Sequence, residues 1–245
     1  MRIAAKQDEV EGLWRRALQE YRQDGLRERL SEKWPYDPNV KDRISYDYPP
    51  TFQPGYVGPR YIASRHRVVL IAQNPGEGSD PFSVAKNREY RAKLEAFARG
   101  NAGFEDLNHL VAEHHLGWRI YEGKGIFREG GAARIALLDE DVRPSIEEVG
   151  VANWFPFKTS GNLGPTKTSP FRQHVWTTYI LELLELLAPA VVVPMGAWCG
   201  WSEAEELRAL AGSPQVIRVQ HPSARNPEAL KGSWTPLSAY LRGLA

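Results

Sequence analysis

The chain has 245 residues, of which 42% are hydrophobic and 25% charged, as is usual for a globular protein of one large domain or two small ones. Its formal net charge of +1 excludes a protein-wide basic field, so any nucleic-acid surface has to be local. The single cysteine, Cys199, excludes a disulfide framework and a cysteine-ligated iron–sulfur cluster, and favours a reducing, intracellular (for example cytoplasmic) location. Neither a membrane-spanning apolar run nor a signal peptide is visible, so we expect no membrane partner.

The first quarter of the chain is predicted to be helical and then irregular. Residues 7–32 carry apolar side chains near helical spacing, which predicts one amphipathic helix: Val10, Leu13, Trp14, Leu18, Tyr21 and Leu26. Residues 34–60 contain six prolines with aromatic residues among them. This pattern predicts an ordered loop that wraps over a core.

The rest of the chain alternates short apolar runs with helical patterns. Strands are predicted at 68–72, 149–155, 190–195 and 216–219, and helices at 83–99, 171–187, 202–210 and 233–244. Strands separated by helices favour a parallel sheet. We therefore predict an α/β fold: a single domain over residues 1–245 with a central four-stranded, mostly parallel sheet flanked by helices. Residues 1–55 would form its N-terminal helix and proline-rich wrap.

Polar or glycine-containing segments follow each predicted strand, and in parallel sheets ligands bind beyond these carboxyl ends. The segments are Gln73-Asn74-Pro75-Gly76, Asn153-Trp154-Phe155-Pro156-Phe157, Gly196-Ala197 and His221-Pro222-Ser223. A turn at Pro75 and Gly76 would leave backbone N–H groups free to bind a carbonyl oxygen or an anion. No Gly-Lys-Ser/Thr follows Gly196, so a nucleotide triphosphatase is not expected.

Three side chains at this edge have complementary chemistry. The Asn74 amide can hold a water molecule, although it does not ionise near pH 7 and is a poor general base. The His221 imidazole can donate a hydrogen bond to a developing oxyanion while neutral, or balance it as a cation. Asn153 offers a donor and an acceptor that could read the edge of a base. The alternatives are that Asn74 only forms a turn and that Asn153 only caps a helix.

Two of these segments resemble a known family. AQNPG at 72–76 and HPSARNPEALKG at 221–232 look like the two signature segments of the uracil-DNA glycosylase superfamily, closest to its single-strand-selective monofunctional branch. VANWFPF at 151–157 resembles the segment that carries the base-reading asparagine. The resemblance covers roughly 56–82, 149–165 and 190–245, and implies a uracil-DNA glycosylase-like fold.

The resemblance also implies a role for each matched residue. Asn74 would position the attacking water and His221 would stabilise charge on the base, which makes them the catalytic pair. The substrate-binding residues would be Gln73, Gly76, Phe82 and Asn153, with Phe82 stacking on the base and Tyr90 or Trp154 as alternatives for that role. Ser223, Arg225, Asn226 and Lys231 would contact DNA. The resemblance implies no metal or cofactor, and a metal site at His109, His114 and His115 is disfavoured because matching ligands are missing from the sequence around them.

The expected function is therefore that of a monofunctional DNA glycosylase. It would hydrolyse the bond between the sugar and uracil, or a modified or deaminated base, in a monomer that binds damaged DNA and initiates base excision repair. Three departures from the family pattern keep alternatives open: Ala72 for glycine, Ala224 for proline, and the short spacing from Asn74 to Phe82. The alternatives are a catalytically weak nucleic-acid-binding relative and a hydrolase of a free nucleoside or another small molecule. The preferred lesion, the preference for single or double strands and the role of residues 100–145 stay open.

Overall fold

The computed structural model describes residues 2–22, 25–34, 44, 52–73, 81–106, 108, 138–139, 141–157, 159, 169–221 and 226–243. Within them the chain forms a mixed α/β structure in which helices flank one sheet. The α/β class predicted from the sequence is confirmed. No helix in these ranges is both long enough and apolar enough to cross a bilayer.

Among the described residues the sheet has five strands, one more than the four predicted. The strands are β1 (Tyr56–Val57), β2 (Val68–Ala72), β3 (Val149–Asn153), β4 (Val191–Pro194) and β5 (Gln215–Val216), in the spatial order β1-β3-β2-β4-β5. Strands β2 to β5 are mutually parallel, and only β1 runs antiparallel, against β3. With two residues, β1 is too short to show an alternating pattern in the sequence.

The helices fall close to the predicted segments. They are α1 (Arg2–Glu20), α2 (Leu26–Lys33), α3 (Pro81–Ala98), α4 (Pro170–Val175), α5 (Leu181–Leu187), α6 (Trp201–Arg208) and α7 (Pro227–Gly243). Strands β2, β3 and β4 are buried along nearly their whole length, as expected for a parallel sheet covered by helices. The core therefore lies between the sheet and the helices. The chain leaves this core at the carboxyl ends of the parallel strands.

The single helix predicted for residues 7–32 is in fact two. Helix α1 ends at Glu20, and Gly25 precedes α2 with a φ of 67°, a left-handed conformation that glycine adopts without steric cost. The apolar residues that motivated the prediction are nevertheless all buried. The spacing identified the buried face correctly but not the turn that divides it.

Between α4 and α5 the helix widens into a π-helical segment, Trp176–Ile180. Ser169 begins α4 by accepting a hydrogen bond from the backbone N–H of Arg172 at 3.1 Å. Ala188 ends α5 with a φ of 44°, one residue before Pro189. The predicted helix 171–187 is thus confirmed in extent, with one wider turn in its middle.

A polar network ties α1 to this helix. The carboxylate of Glu20 accepts hydrogen bonds from Tyr179, from Lys33 and from His174, whose Nε2 lies 3.2 Å from Oε1. Burial disfavours the ionised carboxylate, but these three donors outweigh it and lower the pKa of Glu20 to about 2. The N-terminal helices are therefore fixed to the rest of the fold by a buried charge as well as by apolar contacts.

Candidate active site

The carboxyl ends of the parallel strands meet at one edge of the sheet. Ala72 at the end of β2 pairs with Asn153 at the end of β3, and Ile71 pairs with Pro194 of β4. Beyond the regular strands, Met195 pairs with Val219. We call this edge the rim, defined by Gln73, Asn153, Gly196 and His221, which end or directly follow these pairs.

A substrate-binding candidate, Asn153, and a catalytic candidate, His221, can be located relative to each other through this register. Parallel strands lie about 4.8 Å apart, three such spacings separate the two chain segments, and His221 lies two residues beyond Val219, so the two backbones are at least about 14 Å apart. Gln73 follows the strand that lies between them. The register thus places Gln73, Asn153 and His221 at the same edge of the sheet.

The chain after Asn153 keeps its contact with β2. The backbone N–H of Trp154 donates to the carbonyl of Ala72 at 3.0 Å, and that of Phe155 donates to the carbonyl of Gln73 at 3.1 Å. Because residues 154 and 155 pair in this way, Asn153 does not begin a helix. The reading of Asn153 as a helix cap therefore finds no support in the part of the chain that the structure describes.

Asn153 is a buried residue at the rim. The residue is 5% exposed, but neither polar atom of its amide is among the described side-chain atoms that are enclosed without a hydrogen bond. The amide carries a donor and an acceptor side by side, so at the rim it is suited to bind a ligand with an adjacent acceptor and donor.

Gly196 and His221 are immediate neighbours at the other end of the rim. Gly196 has a φ of 99° and donates its backbone N–H to the carbonyl of Val219 at 2.8 Å. A β-carbon added to Gly196 would lie 3.6 Å from the β-carbon of His221. Glycine is thus favoured here for its backbone conformation, and a side chain at this position would be in van der Waals contact with His221.

Burial lowers the pKa of His221 below its ordinary value of 6.5. The imidazole is consequently neutral at pH 7, and a neutral imidazole both donates and accepts a hydrogen bond. Of the two roles considered from the sequence, donation by a neutral ring is the one that this environment favours. The ring can donate to an oxygen on which negative charge develops, without itself starting as a cation.

Asn226 has a structural role that the sequence prediction missed. Its side-chain oxygen accepts hydrogen bonds from the backbone N–H groups of Glu228 and Ala229, both at 3.1 Å, so it caps α7. The predicted helix 233–244 therefore begins six residues earlier, at Pro227. Asparagine followed by proline is a helix-start signal that was available in the sequence.

The remaining predicted residues divide into those that the structure describes and those that it does not. Asn74, Gly76, Ser223 and Arg225 lie outside the described residues, as do His109, His114 and His115, and nothing is described of the Phe82 side chain in α3. Lys231 is exposed on α7, where a DNA contact stays a prediction. No group of three metal-binding side chains occurs among the residues described.

The two alternative stacking residues are part of the core. Tyr90 is 1% exposed and Trp154 is 0% exposed. The Trp154 ring stacks on Trp198 with centroids 5.9 Å apart and an interplanar angle of 18°. Neither ring has a face open to a base in this conformation. Trp198 instead supports the rim from below, because its indole N–H donates to the carbonyl of Ile71 at 3.3 Å.

In comparisons with known proteins, no protein-family model matches the chain and no match to a curated protein is found. The chemistry of the rim residues therefore carries the functional conclusion.

Proposed function

We propose that this protein is a monofunctional DNA glycosylase that removes uracil, or a modified or deaminated base, from DNA. One observation carries the proposal. A buried asparagine, Asn153, shares the rim with a half-buried imidazole, His221, whose pKa is lowered by its partial burial. The resemblance of 72–76 and 221–232 to the glycosylase signature segments supports it independently.

The chemistry balances without a further reactant. Water adds to the C1′ carbon of the sugar as the bond from C1′ to the base nitrogen breaks, and the bonding electron pair leaves with the base. The proton that the water loses passes through solvent to the base anion, which leaves as the neutral base. His221 would donate a hydrogen bond to the base oxygen that gains this charge, and Asn153 would bind the donor and acceptor on its edge. Asn74, which follows Gln73 directly, would orient the water. The products are a free base and an abasic sugar.

The target base has to leave the helical stack to reach such a rim. Flipping costs a few kcal/mol, which contacts with DNA have to offset. Lys231, exposed on α7, and Arg225 are the cations proposed to contact phosphates.

The test uses oligonucleotides that each carry one uracil, hydroxymethyluracil, hypoxanthine or xanthine, in single- and double-stranded form. After treatment with the protein, hot alkali should cut the strand at the lesion in at least one of them, and His221→Gln should lower the rate strongly. If none is cut, the proposal is wrong. Tight binding without base release would support the weak-binder alternative, and cleavage of a free nucleoside without DNA binding would support the small-molecule alternative.

A further inference from the structure

The backbone of Gln220, the residue before His221, is held on both of its polar groups by side chains of α7. Its N–H donates to Ser233 Oγ at 2.9 Å, and its carbonyl accepts from Trp234 Nε1 at 3.1 Å. We call Ser233 and Trp234 the Gln220 anchor. Two adjacent residues of one helix thus bind both the backbone N–H and the backbone carbonyl of Gln220.

At Gln220, hydrogen bonds to side chains of α7 take the place of backbone pairing with a neighbouring strand. Val219 still pairs with the neighbouring strand, because its N–H donates to Pro194 and its carbonyl accepts from Gly196. Successive residues of an extended chain turn their polar groups to opposite sides. Gln220 therefore faces away from β4, and β5 is the last strand of the described sheet on that side. The anchor provides the partners that a further strand would otherwise supply.

The two anchor side chains are themselves well fixed. The Ser233 hydroxyl accepts from Gln220 and donates to the carbonyl of Leu230 at 2.7 Å, so both its donor and its acceptor are used. Trp234 is 0% exposed, so its ring is enclosed by the core. A hydroxyl with a fixed direction and an immobile indole define the position of Gln220 closely. Because His221 is bonded directly to Gln220, a fixed Gln220 backbone also restricts the position of the His221 backbone.

We propose that Ser233 and Trp234 are positioning residues, which set the place of the His221 imidazole at the rim by holding the backbone of Gln220. The inference rests on the proposed function for its catalytic consequence, but the placement itself does not depend on which reaction occurs. Neither residue touches substrate, and neither was singled out by the sequence.

The test removes each anchoring group with little change in shape. Ser233→Ala deletes the hydroxyl, Ser233→Thr keeps it, and Trp234→Phe keeps an aromatic ring but loses the N–H. Thr235→Ala is the matched control, because Thr235 donates to Lys231 O within the same helix and has no hydrogen bond to Gln220. Thermal unfolding of all four variants identifies any that fail to fold.

Two measurements read out the position of His221. The first is the titration of its imidazole by NMR, assigned from the spectrum of His221→Gln. In Ser233→Ala and Trp234→Phe the pKa should move back towards 6.5, whereas Ser233→Thr and Thr235→Ala should titrate as the wild type does. The second is steady-state base release, in which kcat should fall about ten- to a hundredfold with KM little changed, and Ser233→Thr should restore most of the rate.

The outcomes separate this inference from the proposed function. An unchanged titration in both anchor variants overturns it, and so does a shifted titration without a fall in kcat in an active protein. If the wild type releases no base from any lesion, the glycosylase proposal fails, and the titration still decides whether the anchor places His221.

Discussion

Gly196 and His221 are in contact distance across two adjacent strands, with 3.6 Å between the His221 β-carbon and the position that a Gly196 β-carbon would take. The glycine therefore serves two needs at once. It adopts a φ of 99° that other residues rarely reach, and it borders the proposed catalytic imidazole.

Gly196→Ala should impair both stability and base release. The left-handed backbone costs alanine about 1–2 kcal/mol. Relief of this strain would shift the backbone in contact with His221, so we expect a fall in kcat of roughly tenfold or more. Gly212→Ala is the matched control, because Gly212 has a φ of 92° and nothing within 4 Å of an added β-carbon. Urea unfolding should show a similar loss in the free energy of unfolding for both variants. Equal kcat values for Gly196→Ala and Gly212→Ala would contradict an effect of Gly196 on His221.

Asn153→Leu should lower the rate of base release with little change in the free energy of unfolding. Asn153 is 5% exposed, and its amide is not among the described polar atoms that are enclosed without a partner, so an apolar group of similar shape should leave the free energy of unfolding within about 1 kcal/mol of the wild-type value. Base release should fall by roughly 100-fold if the amide binds the base.

The control for this prediction is Asn108→Leu. Asn108 is also buried, at 8% exposed, but its side chain pairs with both the N–H and the carbonyl of Val57. Its loss should cost about 1–3 kcal/mol, because two backbone groups would remain buried without partners. A stability loss for Asn153→Leu as large as that for Asn108→Leu would show that the Asn153 amide is paired.

The pH dependence of stability should reveal the buried imidazole. Burial lowers the pKa of His221 in the folded protein, so between that pKa and 6.5 the unfolded chain binds more protons than the folded chain. Stability should consequently rise with pH through this window and reach its full value above about 6.5. Urea unfolding between pH 5 and 8 should show this slope, and His221→Gln should reduce it.

His66 provides the comparison, because its pKa is also lowered, by burial first and by Arg65 second, against the opposing effect of Glu148. It precedes β2 and thus lies at the opposite edge of the sheet. His66→Gln should flatten the stability profile as well, but the pH profile of base release should change only in His221→Gln. Identical activity profiles for the two variants would remove His221 from the reaction.

Glu20→Gln should destabilise the protein by roughly 2 kcal/mol at pH 7, because three donors would lose an ionised acceptor. The contribution is present above the unfolded pKa of about 4.5 and disappears as the pH falls towards 2, so the difference between variant and wild type should shrink at pH 3. Glu182→Gln is the control. Its exposed ion pair with Arg16 should contribute less than about 0.5 kcal/mol.

Strands β2, β3 and β4 could be predicted because each is a short run of mostly apolar residues, which is the pattern that burial on both faces demands. The fourth predicted strand, 216–219, is shifted: β5 spans Gln215–Val216, one exposed and one half-buried residue, and Val219 pairs separately with Met195. The convergence of polar groups at one edge followed from the same topology. The break before α2 was missed although Gly25 is a local signal for it, because the apolar spacing continues past the glycine. The two-residue strand at Tyr56 was missed because it depends on pairing with Val151, far along the chain.

The anchor could not have been predicted from a local pattern. Ser233 and Trp234 fit an amphipathic helix, and their bonds to Gln220 exist only because α7 packs beside the end of β5. For Asn153 the sequence left two roles open, a base-reading amide and a helix cap. The backbone bonds of Trp154 and Phe155 to β2 decided against the cap, and no single-residue preference contains that information.

Both ends of the stretch between Gln220 and Asn226 are attached to the same helix, one through the anchor and the other through the cap. The two attachment points are therefore fixed by contacts that do not involve residues 222–225. For the glycosylase proposed above, we expect changes at 222–225 to alter which nucleic acid is recognised while His221 keeps its role. Target choice and bond cleavage would then be separable traits, of which one could diverge while the other is kept.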